Sequence, residues 1–172
     1  MAGCSEPPVK EHDAAVAAVA AARAGGADLY AADDLAAADA ALKHYDEFVS
    51  QRDYKQALSS ALDASDRAVD ATKASATKQA SLRAEAGELQ RSLDAALVAL
   101  DAQIKAPRPK TGARTTAALR QTRKVAATAM QEARKDLEAG RLTSAIKRLV
   151  AANADVKRDS SRPEDDGKKL KK

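Results

Sequence analysis

The chain has 172 residues and a formal net charge of +4; 45% of its residues are hydrophobic, but only 2% are aromatic. Much of the apolar content is alanine, which buries little area, and apolar burial contributes only about 25 cal/mol per Å². A thick globular core is therefore excluded. Because β-branched and aromatic residues are too sparse for a sheet, closely packed helices are predicted.

The chain begins with a leader, residues 1–8, which contains Pro7 and Pro8 and precedes a first predicted helix at 9–24. Proline is tolerated before a helix but not inside one, and Gly25 marks the end of this segment. The apolar residues expected on the buried side of this helix are Val9, Val16, Val19 and Ala20.

A second helix is predicted to begin near residue 31, where Asp33 or Asp34 can cap its amide end. Its apolar residues follow the alternating spacing of a coiled-coil seam, and residues 50–53 then make a short turn. The seam residues are Leu35, Ala38, Leu42, Tyr45 and Val49.

The third predicted helix begins at Tyr54 and meets no proline until Pro107. At 1.5 Å per residue, these roughly 50 residues would span about 80 Å. Its middle, residues 70–81, offers only alanine as an apolar side chain, so bending is expected there. Its last part repeats apolar residues at spacings of 4 and 3, namely Leu82, Ala86, Leu89, Leu93, Ala96 and Leu100.

A turn at 106–112 leads into a fourth predicted helix at about 114–139, which Gly140 ends, and into a fifth at about 142–157. The polar, non-periodic residues 159–172 are expected to be a disordered charged tail. The apolar stripe of the fourth helix is Leu119, Ala126, Met130, Ala133 and Leu137.

Together these elements predict an all-α fold, specifically an elongated antiparallel helical bundle. Because short turns make neighbouring helices antiparallel, we expect two three-helix bundles, 9–80 and 81–158, that share the long third helix. The alternative is a single bundle in which that helix breaks near 74–87.

Two segments that lie 88 residues apart have matching apolar positions, 54–68 and 142–156. Such a match indicates an internal duplication, although a shared helical period alone can produce part of it. The matched pairs are 54/142, 57/145, 58/146, 61/149, 62/150, 64/152 and 68/156.

Cys4 is the only cysteine, and the sequence "AGC" that it ends matches the last positions of a bacterial lipobox. A full lipoprotein precursor carries an apolar segment before this motif, so we expect that the signal was trimmed and that Met1 replaces the lipobox leucine. Cys4 is therefore the predicted lipidation site, and residues 5–8 are the predicted tether. An ordinary exposed cysteine is the alternative.

Charge is distributed unevenly, because residues 1–86 carry a net charge of −5 and residues 87–172 one of +9. The basic half could contact a polyanion or an anionic lipid surface, or it could form a solvated face. Binding of nucleic acid is not favoured, because no aromatic residue for base stacking follows Tyr54. The predicted polyanion contacts are Lys105, Arg108, Lys110, Arg114, Arg120, Arg123 and Lys124.

Catalytic and metal-binding motifs are not apparent in the sequence. There is no glycine-rich phosphate loop and no nucleophile elbow, so we expect no enzyme and no cofactor. The two histidines, His12 and His44, do not belong to a cluster of ligands at helical spacing, so we expect no metal site and place both at the surface.

Residues 20–75 resemble a family of uncharacterised alanine-rich helical domains in bacterial envelope lipoproteins. The segments that carry the resemblance are "GGADLYAADDLAAADAAL" and "QRDYKQALSSALDAS"; Ala32 stands where the family has proline, and Gln51 or Arg52 where it has a turn glycine. The resemblance implies an envelope location and no known activity, and some such domains are joined to peptidoglycan-binding domains of the OmpA type.

These observations predict a non-enzymatic periplasmic lipoprotein, anchored to a membrane through lipid on Cys4 and acting as a scaffold, spacer or interaction module. Ser5 after the cysteine favours the outer membrane. Peptidoglycan or another envelope protein is the expected partner. The alternative is a cytosolic helical protein that binds a nucleic acid or a granule surface through its basic half.

Overall fold

The computed structural model describes residues 6–106 and 113–161. These residues form α-helices and no strand, so the all-α class is confirmed. Cys4, Arg108, Lys110 and most of the predicted tail lie outside the described residues. The helices are α1 (Val9–Ala24), α2 (Ala27–Tyr30), α3 (Ala32–Ser50), α4 (Tyr54–Lys105), α5 (Ala113–Glu138) and α6 (Leu142–Ser160).

The long helix α4 continues through residues 74–87, so the break that the single-bundle alternative requires is absent. The sequence did not predict the one-turn helix α2, which follows Gly26 in a left-handed conformation (φ 80°). Its four residues are too few to show a helical apolar period.

Helix starts are capped differently from the prediction. The residue that precedes α3 is Ala31, without a side-chain cap, and Asp33 and Asp34 lie in the first turn, where their charges favour the positive end of the helix dipole. A side-chain cap is present at the start of the next helix, α4. There, Oδ1 of Asp53 accepts a hydrogen bond of 3.1 Å from the amide of Gln56.

The chain divides into two compact units between Ala80 and Ser81. In the first unit, α1, α3 and the early part of α4 pack through a core composed mostly of alanine. Small side chains allow the helix axes to approach closely, which compensates for the small apolar area of each residue. The main buried cluster comprises Val19, Ala22, Ala27, Ala31, Leu35, Ala38, Ala68 and Ala71.

The predicted buried side of α1 is wrong in most of its residues. Val9, Val16 and Ala20 are exposed, whereas Ala15 and Ala22 join Val19 in the core. Because α1 is apolar around most of its circumference, the periodicity does not select a face. Close packing places Ala15 and Ala22 beside Val19 and leaves the bulkier Val9 and Val16 outside.

The alanine-rich middle of α4 is joined to the end of α1 by hydrogen bonds. Ser75, which is only 1% exposed, donates from Oγ to the carbonyl oxygen of Gly25 at 2.9 Å, and Gln79 donates from Nε2 to the same oxygen at 2.8 Å. The carbonyls at a helix C-terminus have no partner within the helix, so these polar side chains satisfy a group that leucine could not.

The second unit has a core of larger side chains, contributed by the late part of α4, by α5 and by α6. The residues predicted for the stripe of the fourth helix lie in or against this core. Its fully buried large residues include Leu93, Leu100, Leu142, Leu149 and Val156.

The turns before α4 and α6 have the same backbone geometry. Arg52 and Gly140, which are 88 residues apart, both have positive φ angles, 59° and 73°. The amide of Asp53 bonds to the carbonyl of Phe48 at 2.9 Å, and the amide of Arg141 bonds to the carbonyl of Asp136 at 2.8 Å, again at the same offset.

Burial after these turns also matches. The pairs 57/145, 61/149, 64/152 and 68/156 are buried at both positions, whereas Leu62 and Val150 are both exposed. The matching turns and burial agree with an internal duplication, but a left-handed residue with this hydrogen bond is a common helix ending and also arises without one.

Substitutions at the two equivalent turn positions should change the stability of the fold in opposite directions. A left-handed conformation costs a residue other than glycine roughly 1–2 kcal/mol, and a methyl group added at Gly140 would meet no atom within 4 Å. We expect Gly140→Ala to lower the free energy of unfolding by about 1 kcal/mol and Arg52→Gly to raise it by a few tenths. Urea unfolding followed by circular dichroism at 222 nm measures both.

Arg52→Ala is the matched control, because alanine and arginine have the same left-handed penalty. It should change the unfolding free energy by less than about 0.5 kcal/mol. An unchanged unfolding free energy for Gly140→Ala would contradict the expected cost of a left-handed alanine at this turn.

Candidate functional site

A concave surface lies within the second unit, between α5 and α6. This α5–α6 groove has a volume of about 420 Å³. Its apolar lining consists mostly of alanine, with Val125 51% exposed beside it. The groove residues are Gln121, Thr122, Val125, Ala126, Ala129, Arg148, Ala151, Ala152, Asp155, Arg158 and Asp159.

Polar contacts between the two helices and within α6 form the walls of the groove. Thr122 donates from Oγ1 to Oδ2 of Asp159 at 2.6 Å, and Arg158 pairs with Asp155 at 2.9 Å. The polar groups of these walls contact one another, and the floor between them consists of apolar side chains.

A buried carboxylate holds the turn between α5 and α6. Asp136 is only 5% exposed; its Oδ1 accepts a hydrogen bond from Nε of Arg141 and its Oδ2 one from Nε of Arg148, both at 2.8 Å. Arg148 also bonds to Glu132. The hydrogen bonds from Arg141 and then Arg148 lower the pKa of Asp136, against the opposing effect of desolvation.

Sequence reasoning did not identify this network. The available signal was that Asp136 falls three residues after the core residue Ala133 and five before Arg141, so that its side chain is near the core and near a cation. The equivalent position in the first unit is Phe48, which packs against an apolar cluster with Tyr45.

Two members of the predicted basic set, Arg108 and Lys110, lie outside the described residues. Arg114 lies in α5, but its side chain is outside the described part of the chain. Arg123 makes a two-point contact with Asp101 of α4, from Nε at 2.5 Å and from Nη2 at 3.0 Å. These hydrogen bonds lower the pKa of Asp101. They also join α5 to α4 through a charged pair.

The other described members of the set are Lys105, Arg120 and Lys124, and all three are exposed. Within the described ranges, no ion pair involves any of them. Arg120 and Lys124 lie one helical turn apart on α5, and Lys124 also lines a smaller cavity that shares Val125 with the α5–α6 groove. Lys124 therefore lies beside Val125, whereas Arg120 lines neither of these two cavities.

The remaining predicted features give mixed results. His12 is partly buried and stacks on Tyr45, with ring centroids 4.3 Å apart, so its placement at the surface is wrong; His44 is exposed as predicted. Among the described residues, no group of three or more His, Cys, Asp or Glu side chains could hold a metal ion. No described helix is long and apolar enough to cross a membrane.

Comparisons of this chain with protein-family models, with curated proteins and with solved structures found no match.

Lowering the pH should reveal how much the ion pairs of Asp136 stabilise the fold. Because its pKa in the folded protein is below the ordinary carboxyl value of about 3.9, its pairing stabilises the fold above that pH and is lost as the pH falls through the folded pKa. We expect Asp136→Asn to lower Tm by several degrees at pH 7, with a difference from wild type that shrinks below pH about 4.

Thermal unfolding of wild type and Asp136→Asn, followed from pH 7 to below pH about 4, measures this difference in Tm. Asp94→Asn is the matched control, because Asp94 is an exposed aspartate of the same unit. It should leave Tm unchanged across the range, and an equal loss in both variants would show that the ion pairs of Asp136 do not stabilise the turn.

Proposed function

We propose that this protein is a non-enzymatic bacterial envelope lipoprotein whose helical units act as a scaffold, spacer or interaction module. The observation that carries the scaffold role is the α5–α6 groove, which combines an apolar floor with walls of paired charges. Such a surface suits the side of another helix, because small residues let a second backbone approach.

The proposed anchor is Cys4. Two acyl chains or more give durable attachment, since each buried CH₂ contributes about 0.8 kcal/mol. Helix α1 begins at Val9, so only residues 5–8 separate the anchor from the first unit. Four residues span at most about 14 Å, and the first unit would therefore lie close to the lipid surface.

The resemblance of residues 20–75 to alanine-rich domains of envelope lipoproteins supports the same location. We propose attachment to the outer membrane, facing the periplasm, because Ser5 rather than aspartate follows the cysteine. Peptidoglycan or another envelope protein would then be within reach as a partner.

Metabolic labelling with palmitate tests the anchor. The protein is expressed with the sequence that precedes residue 1 in its gene, and label should appear in the membrane fraction. Cys4→Ser should abolish the label because the acylated thiol is gone, whereas the neighbouring control Ser5→Ala should retain it. An unlabelled wild-type protein in the cytosol would exclude the lipoprotein proposal.

The second candidate function, binding of a polyanion, is favoured by the exposed cations Arg120 and Lys124 of α5, which take part in no ion pair within the described ranges. Here Asp101 competes with the polyanion for Arg123. We expect Asp101→Asn to release this arginine and to strengthen binding to heparin or duplex DNA several-fold at low salt, because one more cation is available for counterion release.

Fluorescence anisotropy with a labelled duplex measures this affinity. Asp94→Asn is the control and should have no comparable effect. If wild type and Asp101→Asn both fail to bind at low salt, the polyanion function is excluded.

A further inference from the structure

Helix α1 is held to the first unit by few and small side chains. The side chains that it buries are Ala15, Val19 and Ala22. A buried alanine removes little apolar area from water, whereas each residue fixed in a helix costs conformational entropy. The neighbouring helix α3 buries Leu35 and Tyr45 besides two alanines. The attachment of α1 to the unit is therefore weaker than that of α3.

The C-terminal end of α1 is fixed to α4 beside a glycine. The carbonyl oxygen of Gly25 accepts the hydrogen bonds from Ser75 and Gln79. The φ and ψ angles of Gly25 itself lie on the α1 side of this carbonyl, and a glycine can change both angles at little steric cost. Rotation at Gly25 would therefore swing α1 while the two hydrogen bonds keep the carbonyl in place. We call Gly25 the α1 hinge.

The N-terminal end of α1 is held by a contact between two rings. His12 stacks on Tyr45 of α3, with ring centroids 4.3 Å apart and an angle of 21° between the ring planes. Tyr45 is in turn buried against Ala57 and Ala61 of α4, so it offers His12 a fixed surface. We call this stacked pair the His12–Tyr45 latch.

The outer face of α1 is open to solvent between the hinge and the latch. Val16 is 44% exposed, and Ala17, Ala20 and Ala21 are exposed with it. Because this face is uncovered, α1 can move outward without displacing another described helix.

Outward movement of α1 would uncover one seam of the unit and leave another closed. Ala41 of α3 and Ala64 of α4 form a buried cluster with Ala15 of α1. Ala57 and Ala61 of α4, by contrast, are buried with residues of α3. Departure of α1 therefore exposes the first pair, whereas the contact between α3 and α4 persists.

We propose that α1 is a hinged strap, which leaves its place on α3 and α4 as one unit by turning at Gly25, while the α3–α4 hairpin stays folded. The latch controls this opening, because His12 lies near the end of α1 that moves farthest. The proposal goes beyond the scaffold role and does not depend on the lipid anchor. If Cys4 carries lipid, a pull on residues 5–8 reaches the latch before the rest of the unit.

Native-state hydrogen exchange of the full chain, followed for each amide by NMR, tests the strap. A helix of 16 residues is marginal in water on its own, so the amides of α1 exchange once it opens. We expect the amides of residues 15–24 to share one opening equilibrium and to exchange at least about tenfold faster than those of residues 38–45, after correction for intrinsic rates. Equal protection in the two helices would overturn the proposal.

A substitution at the latch separates opening of α1 from unfolding of the whole unit. An aromatic contact of this kind is worth a factor of about two to ten, so His12→Ala should speed exchange in α1 by that factor and leave α3 unchanged. His44→Ala is the matched control, because it removes the exposed histidine of α3. If His12→Ala speeds exchange equally in α1 and α3, the unit opens only as a whole and the strap is rejected.

A substitution at the hinge should act in the opposite direction. A methyl group added at Gly25 would lie 3.4 Å from the carbonyl oxygens of Ala21 and Ala22, an ordinary contact, so the closed state accepts it. Because alanine restricts the open state, Gly25→Ala should slow exchange in α1 by a factor of about two to five.

Gly87→Ala is the control for the hinge. It lies in the second unit, and its added methyl group would meet no atom within 4 Å. This variant should leave exchange in α1 unchanged. Unchanged or faster exchange in Gly25→Ala would contradict the assignment of the hinge.

Thiol labelling provides an independent measurement. In a Cys4→Ser background, Ala41→Cys places a thiol beneath α1, and Ala57→Cys places one between α3 and α4. The thiol at position 41 should react with an aromatic disulfide reagent faster than the one at position 57, and His12→Ala should accelerate only the first. Circular dichroism checks that both variants fold, and equal reaction rates at the two positions would overturn the strap.

Discussion

Close packing of alanine against alanine is the constraint on which the first unit depends. A buried alanine contributes little apolar area, so its seam is useful only when the helix backbones approach closely. This requirement explains why Ala15 and Ala22 face the core of the first unit while Val9 and Val16 face solvent. The core of the second unit also contains alanine, but leucines and a methionine supply more of its apolar area.

Most helix boundaries could be predicted because proline and glycine mark them. Gly25, Pro107 and Gly140 each lie at or near the end of a predicted helix, and the structure places a helix terminus within two residues of each. The buried side of α1 could not be predicted, because a helix that is apolar around most of its circumference has no preferred face. The structural hydrogen bonds of Ser75 and Gln79 were equally hidden, since their partner lies 50 or more residues away.

The candidate site was less accessible to sequence reasoning than the fold. Counting charges identified Arg123 as basic but could not show that Asp101, 22 residues earlier, pairs with it. The groove arises from the antiparallel pairing of α5 with α6, so its lining combines residues that are distant along the chain. A feature that depends on one residue, such as Cys4, is visible in the sequence. A surface that two helices share can be predicted only when the alignment of one helix along the other is known.

The two hydrogen bonds to the carbonyl of Gly25 have a consequence for synthesis on the ribosome. They close loops of 50 and 54 residues, so α1 cannot complete its packing until the chain has emerged as far as Gln79. The contacts of Asp136 with Arg141 and Arg148, by contrast, span only 5 and 12 residues. Because local contacts form faster than distant ones, the α5–α6 hairpin can assemble soon after translation, whereas α1 must wait for most of its own unit to be made.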